Sequence, residues 1–150
     1  MEKSNLIVKF FITILFIFLI NAVFGDNIAF AKNVPGISAT VNKKSYNPGE
    51  SGVLTISFKT GSKVKIPKDP TVTVEITSGN IEGQGLQDYS GDEGDYISGS
   101  KVRYNFTVPS GAESGSTINI TGTVNFAYCT TTDGVCKLAS KEFSAKVRVK

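Results

Sequence analysis

The sequence predicts an all-β domain built as an antiparallel sandwich, and three observations carry that expectation. Apolar and polar residues alternate at period two along most of the chain after residue 31, turn-forming residues interrupt the alternation at short intervals, and nowhere does a helical period last two turns. The alternating runs are, in order, Ile37, Ala39, Val41; Val53, Leu54, Ile56, Phe58; Val72, Val74, Ile76; Val102, Tyr104, Phe106, Val108; Ile118, Ile120, followed by Val124, Phe126, Tyr128; and Phe143, Ala145, Val147, Val149. Each places its apolar members, Val53 excepted, on one face of a strand, because successive side chains on a strand point to opposite faces. Phe58, Phe106, Phe126 and Phe143 are accordingly expected in the core.

The turns between the runs are Asn47-Pro48-Gly49, Thr60-Gly61-Ser62, Ser78-Gly79-Asn80, Pro109-Ser110-Gly111 and Asp133-Gly134. About seven strands in about 120 residues correspond to an immunoglobulin-like sandwich, and a chain of that length buries one core. Residues 32–150 are thus expected to form one domain. Residues 82–100 stand apart: Glu82, Asp88, Asp92, Glu93 and Asp95 lie among closely spaced glycines with few apolar anchors. That stretch reads as one long acidic loop, and long loops in compact domains are functional or simply solvated.

Residues 1–31 are different material. Glu2, Lys3 and Lys9 precede the apolar run Phe10 to Phe24, which is short for a bilayer-spanning helix, and Ala29-Phe30-Ala31 supplies a small-x-small cleavage pattern. The segment reads as a cleaved secretory signal, with a cut after Gly25 and an uncleaved anchor as the alternatives. No cysteine lies near the cut to carry a lipid, so a periplasmic or secreted product is expected. The net charge of +3 is small and scattered, with no basic run, so nucleic acid is not an expected partner. The chain contains no histidine, which removes the usual general base near neutral pH, every His-assisted triad and most zinc sites.

The two cysteines lie in one local unit, Tyr128-Cys129-Thr130-Thr131-Thr132-Asp133-Gly134-Val135-Cys136-Lys137. In a secreted protein a disulfide between them is the default. Their short separation, across an Asp-Gly turn between two strand patterns, excludes an antibody-type staple between sheets. As a staple the bridge is modest: a ring of about eight residues constrains the unfolded chain by about 2.5 kcal/mol, against about 4.7 for a hundred-residue ring. Two uses remain open. The bridge pins a hairpin at a sheet edge, or it is an exchangeable dithiol/disulfide, since a short exposed loop is reachable by an attacking thiolate.

From Asp92 to the C-terminus the chain resembles the N-terminal periplasmic domain of DsbD-type thiol:disulfide interchange proteins, an immunoglobulin-like domain that passes reducing equivalents to other periplasmic proteins. The likeness is carried by the late strand Ile118 to Tyr128 running into Cys129, by the insert Thr130 to Val135 with Gly134 two places before Cys136, by the closing strand Phe143 to Val147, and by Asp92-Glu93-Gly94-Asp95-Tyr96, which is similar to that family's acidic-aromatic cap loop. Tyr46-Asn47-Pro48-Gly49-Glu50 resembles the family's opening. The chain departs from the family in having Lys137 and Leu138 where prolines are common, and an insert one residue longer.

The resemblance implies a protein-disulfide reductase or thiol–disulfide interchange component with Cys129 and Cys136 as the catalytic pair. Cys136 would form the mixed disulfide and Cys129 would resolve it. Asp92, Glu93, Asp95 and Tyr96 would cap the pair, with Tyr128, Asp133 and Lys137 as its surroundings. The implied partners are a thioredoxin-like protein or membrane electron donor and oxidised periplasmic clients, with the membrane reached only through a partner.

No cofactor is expected, nor a metal site, since two thiolates without histidine need further ligands; copper(I) carriage is a distant third reading. Lys63, Lys65 and Lys68 read as a solvated edge that discourages strand pairing between molecules. Asn105-Phe106-Thr107 and Asn119-Ile120-Thr121 match the glycosylation sequon inside strand runs and are given no role. The rival reading, from a different class, is a secreted immunoglobulin-like binding or adhesion module whose bridge is purely structural.

Overall fold

The computed structural model describes residues 34–87 and 94–150. The expected signal segment, and Asp88, Asp92 and Glu93 of the acidic loop, lie outside the described residues. Among the described residues eight strands follow one another: β1 (Gly36–Val41), β2 (Ser51–Lys59), β3 (Val64–Lys65), β4 (Thr73–Ser78), β5 (Glu82–Leu86), β6 (Lys101–Thr107), β7 (Thr117–Thr130) and β8 (Cys136–Arg148), with a 3₁₀ turn, Ser98–Ser100, before β6. They form two antiparallel sheets, one ordered β1-β2-β6-β5, the other with β3 and β4 sharing one edge of β7 while β8 takes the opposite edge. The expected all-β antiparallel sandwich is the architecture of the domain.

The alternation translates directly into the core. In β2, Leu54, Ile56 and Phe58 are buried, and in β7, Ile120, Val124 and Phe126 meet them from the other sheet, with Phe58 and Phe126 rings 4.7 Å apart. Fully burying one such side chain contributes about 1.5–3 kcal/mol, so the faces cannot be exchanged by a register slip without losing the core. All four expected core phenylalanines are buried.

Tyr46 closes the end of the sandwich far from the cysteines. Its ring is fully buried against Phe106 at 5.6 Å, and its hydroxyl donates to Asn42 Oδ1 (2.8 Å) while accepting from Lys43 N (3.1 Å). Burial pushes the Tyr46 phenol above its ordinary pKa. The following turn is tied by Glu50, which accepts from Asn47 N (2.7 Å) and pairs with Lys43 Nζ at 2.5 Å.

Two expectations need correction. Residues 82–86 are not loop but β5, an edge strand paired with β6. Glu82-Gly83-Gln84-Gly85-Leu86 carries no apolar alternation, because an edge strand takes its order from the backbone of its neighbour, and a bulge between Gly83 and Gly85 breaks what pattern there is. The last strand begins at Cys136 rather than near Phe143: residues 136–142 are mostly exposed and are extended by pairing with β7, not by a buried face.

Candidate functional site

The β7–β8 hairpin is the longest pairing among the described residues, running from Thr117↔Arg148 to Cys129↔Cys136. The two cysteines therefore face each other as the last pair before the turn and are bridged, with Cα atoms 4.0 Å apart. The next pair outward carries the hydrogen bond from Thr130 N to Val135 O (3.0 Å), which makes Cys129↔Cys136 a non-hydrogen-bonded pair, the closer of the two antiparallel types. The pairing follows from the register of two strands whose faces are fixed by the core.

The turn is built from its own side chains. Gly134, at φ +67°, donates to Thr130 O (3.0 Å), and the Asp133 carboxylate accepts from the Thr130 hydroxyl and from Val135 N (3.2 Å). The Thr130 hydrogen bond first, then that from Val135 N, holds the Asp133 carboxyl below the usual carboxylate range, with Lys137 adding a smaller attraction. Thr131 N donates to Lys63 O (2.8 Å), fastening the turn to the segment before β3. The hairpin tip is thus held by a hydrogen-bond network that does not need the bridge.

The two cysteines differ in access. Cys129 is 3 % exposed, since the end of β7 is buried on both faces from Phe126 through Cys129. Cys136, first residue of the edge strand β8, is exposed. The exposed large apolar residues among those described all gather here: Val135 at 46 %, Leu138 at 78 % and Tyr96 at 37 %.

The remaining sequence-derived site residues separate into groups. Asp133 lies in the turn, as expected. Tyr128 faces inward and belongs to the core cluster, pairing across the strands with Lys137. Lys137, adjacent to Cys136, is therefore on the opposite face of β8. Asp95 and Tyr96 reach the site indirectly. Asp95 O accepts from Lys68 N (2.8 Å), Ile97 N donates to Ile66 O (3.0 Å), and Tyr96 bridges to Pro67, so residues 95–97 zip onto the segment that continues β3.

That arrangement adds a neighbour the sequence did not show. Lys65 is exposed on the edge strand β3, as expected of a solvated edge, and stands directly opposite Cys129 in the β3–β7 register, with its Nζ over the Tyr96 ring at 5.1 Å from the centroid. Lys63-Val64-Lys65-Ile66 does show a period of two, which signals a short strand, but nothing local says which strand it joins. Among the described residues no group of three or more His, Cys, Asp or Glu could hold a metal ion.

No protein-family model matches the chain, and no curated protein matches it. Two chains of solved structures do, among them the sixth cohesin of scaffoldin B from Acetivibrio cellulolyticus, solved in complex with a mutant Cel5 dockerin. That cohesin is 20 % identical to this chain, the match covers 77 % of this chain and 99 % of the cohesin, and the TM-score is 0.41.

Proposed function

We propose that this domain is a secreted or periplasmic thiol–disulfide exchange domain, which passes reducing equivalents between a thioredoxin-like or membrane-borne donor and oxidised client proteins through Cys129 and Cys136. The observation that supports this reading best is the asymmetry of the pair: one sulfur exposed at the head of an edge strand, its partner buried beside it in a strand locked into the core. Exchange needs a sulfur that a foreign thiolate can reach and a second that stays in place to close the ring again. Cys136 fits the first role and Cys129 the second, which is also the order the DsbD resemblance implies. The exposed Val135 and Leu138 beside Cys136 offer apolar contact area to a docking protein.

The test is the reduction potential of the couple in the purified domain, measured by equilibration against glutathione or dithiothreitol with thiol counting. A potential well above about −300 mV, with rapid exchange against a thioredoxin-like protein, is expected of a labile bridge. Cys129→Ser should then trap the partner as a mixed disulfide on Cys136. A potential below that range with negligible exchange would make the bridge structural and leave the domain as a binding or adhesion module.

A further inference from the structure

We infer that Lys65 is the counter-ion of the Cys129 thiolate, a positioning residue that makes Cys129 the sulfur that leaves when the bridge is attacked. The inference rests on the exchange reading above and adds to it a named group that sets the direction of cleavage.

Lys65, Cys129 and Cys136 form one row across three strands, because Lys65 is opposite Cys129 and Cys129 is opposite Cys136. Residues directly opposite in an antiparallel pair share a face, with Cβ atoms about 4.5–5.5 Å apart. The flexible stem of Lys65 therefore starts beside Cys129, and its ammonium is a rotatable point charge. Among the described residues that ammonium has no carboxylate partner; its contact is the Tyr96 ring.

The other charged groups nearby are placed differently. The Asp133 carboxylate is occupied by Thr130 and Val135 N, Lys137 is on the opposite face of β8, and Lys63 precedes β3 and stands beside Thr131, beyond the row of the cysteines. Burial of Cys129 by itself would favour the neutral thiol. Lys65 is the cation on the same row and face that opposes this.

The chemistry gives that charge a use. The thiolate of a dithiol reductant attacks Sγ of exposed Cys136; the Cys129–Cys136 bond breaks, and its electron pair departs on Sγ of Cys129. The second thiolate of the reductant then attacks its own bonded sulfur and expels Cys136, so the reductant ends as a disulfide and the two domain sulfurs take up the two protons it released. A leaving thiolate of lower pKa leaves faster. In the opposite direction, with Cys136 joined to a client, the same charge keeps Cys129 ionised to resolve the mixed disulfide. In the oxidised domain that ammonium lies over the Tyr96 ring.

The test titrates Cys129 alone, by thiolate ultraviolet absorbance, in the Cys136→Ser domain with and without Lys65→Met. Removing the cation should move the Cys129 titration midpoint up by about one pH unit or more, and Lys65→Arg should leave it in place. Lys65→Met should also slow reduction of the intact bridge by dithiothreitol, since a leaving thiolate of higher pKa leaves more slowly. If Cys136→Ser does not fold, the fully reduced two-cysteine domain gives the same comparison as two macroscopic values. Superimposable titrations with and without Lys65 would overturn the inference. A Cys129 titration that moves with Lys65 in a domain whose bridge resists every dithiol would uphold the counter-ion and end the exchange reading.

Discussion

Reducing the bridge should leave the sandwich folded, and the cost can be worked out. The cysteines are seven positions apart, so the ring that opening releases has about eight residues, and the chain-entropy relation puts the lost stabilisation at about 2.5 kcal/mol. That figure takes the tip to stay ordered when the bridge opens, which the hydrogen bonds from Thr130 N to Val135 O, Gly134 N to Thr130 O and Thr131 N to Lys63 O favour, since none of them involves a sulfur. The buried cluster of Leu54, Ile56, Phe58, Phe106, Val124 and Phe126 contains neither sulfur. With a urea m-value of about 1–3 kcal/mol/M, the midpoint of unfolding should fall by about 0.8–2.5 M between oxidised and reduced protein, with the m-value little changed. Paired urea titrations with and without a phosphine reductant measure this. Loss of the cooperative transition on reduction would refute the reasoning, since a shuttle must survive in both states.

Other perturbations have equally definite outcomes. Gly122→Ala should collapse the stability of the domain, because a Cβ there would overlap the carbonyl oxygen of Glu75 and lie 2.8 Å from the Phe143 ring, and thermal melting would show it. Tyr46→Phe removes the hydroxyl shared by Asn42 and Lys43 N and should cost about 1–3 kcal/mol, with stranded polar groups as the cause; an unchanged melting temperature would contradict that. Asp133 is held below its ordinary carboxylate pKa, so its stabilisation of the turn is fully present above about pH 4, the unfolded value, and is lost as pH falls through the folded value. Amide exchange at Gly134 and Val135 should accelerate over that interval, and Asp133→Asn should abolish the dependence. Tyr96→Ala removes the ring beneath the Lys65 ammonium, and attack on the bridge by a small thiol should quicken if the ring shields it; an equal rate would dismiss any shielding by this ring.

The strand faces, the turns and the proximity of the two cysteines were legible from the chain because each is a local property. Alternation at period two fixes which side chains face the core, Asp133-Gly134 fixes a turn, and a separation of seven positions across it brings Cys129 and Cys136 together without reference to anything distant. Strands without a buried face were not legible: β5 and the first half of β8 owe their extended form to the neighbours that pair with them. For the same reason the sequence could not separate the sulfurs by access, since that depends on which strand lies at the sheet edge. Nor could it seat Lys65 opposite Cys129, a partnership between residues far apart in the chain. Local geometry writes the faces of each strand, but which strands become neighbours is decided by the collective burial of the whole core, and the chemistry at the hairpin tip belongs to that second level.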